Sequence, residues 1–166
     1  MEKEITEVYC GNGRGKTTLA IGQALRASSQ GKSVIIIQFL KGNERRELDF
    51  LEELDQLDIK IFRFEKMESC YDQLNEEEQV EEERNILNGL NFARKVIATQ
   101  ECDFLVLDEI LGLLDKHIAT VDMVVGLLKQ KDESMHLILT GNRVDPGILD
   151  YVDSVTPITT LGRETN

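Results

Sequence analysis

The 166 residues are 41% hydrophobic and 30% charged, a composition typical of one soluble globular domain, and we expect residues 1–166 to form that domain. A formal net charge of -12 argues against a nucleic-acid partner, because such binding depends on clustered Lys and Arg. No apolar run approaches the roughly 18 to 20 residues of a membrane span or forms a signal-peptide core, which predicts a cytoplasmic protein away from the membrane.

Six short runs rich in Val and Ile alternate with longer helical patterns. This alternation predicts an α/β fold with a mostly parallel, six-stranded sheet flanked by helices. The second, fourth and fifth runs are almost wholly apolar, as expected for strands covered on both faces. The expected strands are Ile5–Tyr9, Ser33–Leu40, Ile59–Phe64, Asp103–Ile110, His136–Thr140 and Asp153–Ile158.

Two helices can be predicted from the patterns between these strands. The first begins near Lys16 and stops at Gly31. The second begins at Asn75, and Glu78 follows at the spacing of a capping box, so the acidic run is interpreted as a solvated helix start rather than a metal site. The predicted apolar stripe of the first helix comprises Leu19, Ala20, Gln23, Ala24 and Ala27.

The stretch CGNGRGKTT, residues 10–18, joins the first strand to the first helix and nearly matches the phosphate-binding pattern G-x-x-x-x-G-K-[ST]. Cys10 stands where that pattern has its first glycine. The later glycines let successive N–H groups form an anion nest, and the helix N-terminus and the Lys16 ammonium add positive charge. The Thr17 hydroxyl is placed to ligate Mg²⁺. The stretch therefore predicts polyphosphate binding.

A second motif is FLVLDEI, in which an apolar strand ends at Asp108 and Glu109. A carboxylate in this position holds Mg²⁺ or its water in phosphate-binding folds, although alone an acidic pair is often a solvated strand end. Together with the loop, the motif predicts a magnesium site formed by Thr17, Asp108 and Glu109. The two histidines, His117 and His136, are interpreted as bystanders. The three cysteines are interpreted as isolated reduced thiols.

With these motifs the sequence resembles the P-loop type of ATP:corrinoid adenosyltransferase, also called cob(I)alamin adenosyltransferase. The loop of that family reads G-N-G-K-G-K-T-T, without the distant glycine, so only Arg14 departs from it. Further similar segments are VIIIQFLKG at 34–42, FLVLDEI at 104–110 and LILTGN at 137–142. The resemblance covers most of the chain.

The resemblance implies a P-loop NTPase fold of the RecA-like type. It also implies transfer of the 5′-deoxyadenosyl group of ATP to the Co(I) of a reduced corrinoid, cobalamin or a precursor, with triphosphate leaving. ATP, Mg²⁺ and a homodimer are part of this expectation. Lys16, Arg14 and Glu109 are the expected catalytic residues. The expected nucleotide-binding residues are Gly11, Asn12, Gly13, Arg14, Gly15, Lys16, Thr17, Thr18, Gln38 and Lys41.

The corrinoid side of the resemblance leaves a second function open. The family has a Phe and Trp pair after the third strand, whereas this chain has no Trp, and Phe64 or Tyr71 would have to substitute. Pro157 stands where the family has an acidic residue. The alternative is a repurposed ATP-binding module that hydrolyses ATP slowly or acts in regulation. A nucleotide kinase is a third reading, disfavoured because no arginine-rich lid is visible.

Overall fold

The computed structural model describes residues 3–42 and 48–162. Short 3₁₀ helices at Asp49–Glu53 and Tyr71–Gln73 lie in two of the connections. All six predicted strands are present, with ends within two residues of those expected. In chain order the main elements are β1 (Thr6–Cys10), α1 (Lys16–Ser29), β2 (Val34–Gln38), β3 (Ile59–Arg63), α2 (Glu76–Thr99), β4 (Phe104–Asp108), α3 (Ile110–Asp115), α4 (Val121–Gln130), β5 (His136–Thr140), α5 (Pro146–Leu149) and β6 (Ser154–Pro157).

The six strands form one sheet in the order β3-β2-β4-β5-β1-β6, and every neighbouring pair is parallel. The predicted α/β architecture is therefore confirmed. Because all strands run the same way, their carboxyl ends lie at one edge of the sheet. That edge is where open α/β sheets bind ligands.

Helices cover both faces of the sheet, so the internal strands are mostly buried. All five residues of β2 and of β4 are buried. One core cluster packs α1 against Ile36, Val106 and Ile138, and the other packs α2, α3 and α4 against side chains such as Ile37 and Leu107. No helix in the described ranges is both long enough and apolar enough to cross a bilayer.

The apolar stripe of α1 differs from the predicted one at two positions. Leu19 is 36% exposed and Gln23 lies outside the core, whereas Ile21 is buried with the three alanines of the stripe. The small alanines allow α1 to lie close to the sheet, and the larger Leu19 side chain is left on the outer side. The helix ends at Ser29, and Gly31, the predicted stop, follows two residues later with a positive φ of 84°.

The N-terminus of α2 carries the predicted capping box. The Asn75 side chain accepts from the Glu78 N–H at 3.0 Å, and the Glu78 carboxylate accepts from the Asn75 N–H at 3.0 Å. The interpretation of the acidic run as solvated is wrong at Glu82, which is fully buried. Its carboxylate accepts three hydrogen bonds, which offset the cost of its burial.

Candidate active site

The phosphate-binding loop begins at Gly11, because Cys10 is still the last residue of β1 and pairs with Pro157 of β6. A glycine is therefore not needed at position 10. At Gly11 φ is 105°, and a Cβ there would lie 2.3 Å from the Ile158 carbonyl oxygen. Gly11 is thus the first position of the motif at which a glycine is required, because the segment after β6 approaches its backbone closely.

The Lys16 side chain lies inside this loop at the start of α1. Its ammonium donates to the Gly11 carbonyl at 2.7 Å and to the Gly13 carbonyl at 3.0 Å. Gly15 caps the helix in the left-handed region with φ of 103°. The predicted strand, loop and helix arrangement is therefore present, with its lysine centred on the loop.

A row of polar side chains crosses four strands at the carboxyl edge of the sheet. The parallel register aligns Arg63 of β3, Gln38 of β2 and Asp108 of β4. Arg63 Nε donates to Gln38 Oε1 at 2.8 Å, and Gln38 Nε2 donates to Asp108 Oδ2 at 3.2 Å. From β5, Thr140 Oγ1 donates to Asp108 Oδ1 at 2.8 Å. The row holds the Asp108 carboxylate in one orientation.

Asp108 also joins the sheet edge to the phosphate-binding loop. Its side chain is fully buried, and Thr17 Oγ1 donates to its Oδ1 at 2.9 Å. Lys41 Nζ lies 3.1 Å from Asp108 Oδ2 and donates to Thr17 Oγ1 at 2.9 Å. The buried carboxylate is therefore both hydrogen-bonded and paired with a cation, as a buried charge requires.

Glu109 follows Asp108 directly and turns the chain into α3 with a left-handed φ of 64°. Its N–H donates to Thr140 Oγ1 at 2.8 Å. Burial raises the pKa of the Glu109 carboxyl, the charge of Asp108 adds to this effect, and Lys41 and Lys16 oppose it. Glu109 thus lies within electrostatic reach of both lysines and of Asp108.

The oxygen atoms of this cluster fit Mg²⁺. The Thr17 hydroxyl and the Asp108 carboxylate converge on the position of the Lys41 ammonium, so they stabilise a cation there. Hard oxygen donors of this kind are the ligands that Mg²⁺ takes. Within the described ranges no three His, Cys, Asp or Glu side chains group as a metal site. Magnesium would accordingly need phosphate oxygens as well, as is usual for this ion.

Three predicted binding residues lie at the rim of the loop rather than in the cluster. Asn12, Arg14 and Thr18 are exposed. The Arg14 N–H donates to Thr160 Oγ1 at 3.3 Å, and Arg14 lines an open groove along α1 with Thr18 and Arg26. The structure therefore brings Thr17, Gln38, Lys41 and Asp108 into contact, holds Lys16 next to them on the carbonyls of the loop, and leaves Arg14 outside these contacts.

Two cavities lie on either side of Lys41, which lines both. The first has a volume of about 420 Å³ and is walled by Tyr71, Glu109 and Lys116 among others. The second, of about 210 Å³, is lined by Thr17, Gln38 and Arg63 among others. Lys41 thus stands between two spaces that open on the same polar cluster.

The two aromatic residues considered for the corrinoid side have different surroundings. Tyr71 lines the 420 Å³ cavity, and its hydroxyl donates to Glu83 at 2.6 Å. Phe64 packs against Phe92 of α2 with ring centroids 5.3 Å apart. Of the two, Tyr71 is therefore the one placed beside the cluster.

Three residues are missing from the sequence prediction: Arg63 and Thr140 in the row of polar side chains, and Glu65, whose carboxylate accepts from the Leu40 and Gly42 N–H groups on either side of Lys41. Arg63 and Thr140 are the last residues of β3 and β5, and Glu65 follows β3 by two residues. Their position at the carboxyl ends of predicted strands was the signal that could have found them. Their hydrogen-bond partners, however, could not be predicted, because these depend on which strands are neighbours in the sheet.

Comparison with known proteins connects these features to one family. Residues 2–164 match the family model described as ATP:corrinoid adenosyltransferase BtuR/CobO/CobP. A corrinoid adenosyltransferase of Escherichia coli strain K12 is 30% identical over 162 residues, which cover 95% of this chain and 77% of the relative. Corrinoid adenosyltransferase CobA of Salmonella typhimurium is 28% identical over 160 residues, with the same two coverages.

Among solved structures, a KaiC-like protein of Pyrococcus horikoshii, PH0186, has a similar fold. The TM-score is 0.62 and the identity 19%, over 93% of this chain and 71% of that one. At this identity the likeness concerns the fold alone. It confirms the predicted RecA-like P-loop architecture.

Proposed function

The chain belongs to the ATP:corrinoid adenosyltransferase family, and we propose that the cluster of Lys16, Thr17, Lys41 and Asp108 is the site of its reaction. The protein is an enzyme that transfers the adenosyl group of ATP to a corrinoid. The family match favours this function over the repurposed ATPase. The observation that supports the site best is the contact of Thr17 with Asp108, which joins the phosphate-binding loop to the sheet edge.

The loop would bind the triphosphate of ATP. The Gly11 and Gly13 N–H groups donate to the Asn142 and Ile158 carbonyls, so the N–H groups at the N-terminus of α1 would be the ones that favour an anion. Lys16 would exchange the Gly11 and Gly13 carbonyls for phosphate oxygens. Thr17, Asp108 and Glu109 would hold Mg²⁺, which supplies positive charge to the triphosphate, and the Lys41 ammonium that now contacts Thr17 and Asp108 would turn to the triphosphate itself. Gln38 keeps Asp108 oriented for this role.

In the reaction the electron pair of Co(I) forms the bond to the C5′ carbon of ATP. The bond from C5′ to the triphosphate oxygen breaks, and its electrons leave with the triphosphate. The protein therefore has to stabilise negative charge that grows on the leaving group, and fixed cations are effective for this purpose. Lys16 and Lys41 would supply that charge from inside the cluster. Arg14, at the exposed rim, would add charge-assisted hydrogen bonds.

The corrinoid would approach from the 420 Å³ cavity that Lys41 separates from the smaller one. Tyr71 lines that cavity, and its ring would pack against the corrinoid in place of the aromatic pair of the family. The role of Tyr71 can be separated from ATP binding, because Tyr71 does not line the 210 Å³ cavity, which is the one next to Thr17 of the phosphate-binding loop.

We expect Tyr71→Ala to raise the KM for the corrinoid about tenfold, the size of a lost aromatic contact, with the KM for ATP unchanged. Steady-state kinetics with each substrate varied in turn would measure both constants. Tyr71→Phe keeps the ring but not the hydrogen bond to Glu83, and should behave like the wild type. Tyr151→Ala, at an exposed tyrosine, is the matched control. An unchanged corrinoid KM in Tyr71→Ala would remove Tyr71 from the corrinoid site.

We further propose that residues 1–166 form one domain and that the protein works in the cytoplasm.

We also propose that two copies of the chain form a homodimer. The homodimer is implied by the resemblance to the family. Sedimentation velocity should give a mass twice that of one chain. A species with the mass of one chain at enzyme-assay concentrations would contradict the dimer.

A further inference from the structure

The segment that carries Lys41 has an uncommon backbone. Both neighbours of Lys41 lie in the left-handed region, Leu40 with φ of 64° and Gly42 with φ of 63°. This conformation is unfavourable for leucine, so the surroundings must hold it. At Gly42 a Cβ would lie 2.6 Å from the Glu68 carbonyl oxygen, so the segment also packs tightly against the chain after β3.

The Glu65 carboxylate holds this segment from both sides of Lys41. One of its oxygens accepts from the Leu40 N–H, and the other accepts from the Gly42 N–H at 3.0 Å. The Glu65 residue is only 6% exposed. Burial raises the pKa of its carboxyl, whereas the two backbone donors lower it. A buried carboxylate is thus used to fix two backbone groups, an arrangement whose hydrogen bonds are charge-assisted.

The segment of Glu65 is in turn fixed to α2 by the buried Glu82. The Glu82 carboxylate accepts from the N–H groups of Lys66 and Met67, each at 2.9 Å, and from Asn85 Nδ2 at 2.7 Å. The Cys70 thiol adds a contact to the Lys41 carbonyl at 3.8 Å. A continuous path of hydrogen bonds therefore runs from α2 through residues 65–67 to the backbone around Lys41.

We propose that Glu65 is a positioning residue for the reaction, holding Leu40 to Gly42 so that Lys41 stays beside Thr17 and Asp108, where the triphosphate would bind. Glu82 supports it by fixing residues 66 and 67 to α2. The inference rests on the proposed function in one respect, that Lys41 acts in the ATP site. Lys41 lines both the 210 Å³ cavity next to Thr17 and the 420 Å³ cavity next to Tyr71. By holding the backbone on either side of Lys41, Glu65 therefore also fixes the boundary between these two cavities.

The test compares Glu65→Gln and Glu65→Ala with the wild type, and repeats both in the Lys41→Ala background. Gln has the same shape but offers one acceptor in place of two, so we expect kcat/KM for ATP to fall about threefold with Gln and about tenfold or more with Ala. If Glu65 acts through Lys41, neither change should lower kcat/KM more than about twofold when Lys41 is already absent. A merely structural role would not produce this dependence on Lys41.

Glu81→Ala is the matched control, since Glu81 is an exposed glutamate one residue before Glu82 on α2. Thermal melts would establish which variants are folded at the assay temperature, and if Glu65→Ala is not, Glu65→Gln carries the comparison. Equal losses with and without Lys41, or wild-type kcat/KM in a folded Glu65 variant, would overturn the inference. Wild-type kinetics of Lys41→Ala alone would instead reject the role of Lys41 in the proposed site.

Discussion

The Lys16→Ala variant should bind ATP at least about 100-fold more weakly than the wild type. The Lys16 ammonium lies at the centre of the loop, in contact with the Gly11 and Gly13 carbonyls. In that position its positive charge would pair with the bound triphosphate. Its removal takes away a full positive charge and the hydrogen bonds that shape the loop. Because the variant binds ATP more weakly, its rate of adenosyl transfer should also be lower than that of the wild type.

Isothermal titration with Mg-ATP measures this effect directly. Lys95→Ala is a suitable control, because Lys95 has an exposed side chain on α2 and is remote in sequence from the loop. A melting curve close to that of the wild type would separate lost binding from lost folding. If Lys16→Ala kept its affinity for ATP, the assignment of the loop as the phosphate site would be wrong.

The Asp108→Asn variant should lose at least about 100-fold in kcat, because its charge is central to the cluster. The amide keeps the shape of the carboxylate but turns one acceptor into a donor. It then faces the donors Thr17, Gln38 and Thr140, and Lys41 loses its partner. We also expect a loss of about 2 to 4 kcal/mol in the free energy of unfolding, since a network of buried polar groups is left incomplete.

Activity at increasing Mg²⁺ concentrations and urea unfolding would measure the two effects separately. Asp122→Asn, at an exposed position in the first turn of α4, is the control for a simple change of net charge. Activity of Asp108→Asn with an unaltered dependence on Mg²⁺ would show that Asp108 does not contribute to the metal site.

The strands and the phosphate-binding loop could be predicted because their signals are local. Runs of β-branched residues indicate each strand, and the loop motif lies within nine consecutive residues. The role of Arg63 could not be predicted in this way. It depends on the neighbouring order of β3, β2 and β4, which brings Arg63 to Gln38 across 25 positions and Gln38 to Asp108 across 70.

The sequence predicted where the helices lie better than it predicted which of their side chains are buried. Glu82 belongs to a run of acidic residues that reads as solvated, yet it is fully buried because the chain after β3 folds over that turn of α2 and presents two N–H groups to it. Leu19 shows the opposite error, since an apolar residue at helical spacing lies outside the core. Both cases depend on how a connecting segment or helix packs, which the periodicity of a single element does not specify.

The most direct test is an anaerobic assay with chemically reduced cob(I)alamin and Mg-ATP. The corrinoid spectrum would follow the cobalt, and chromatography would identify the phosphate product. Formation of adenosylcobalamin together with triphosphate is the predicted result. Release of ADP and phosphate with an unaltered corrinoid would contradict the transferase function and favour a repurposed ATPase.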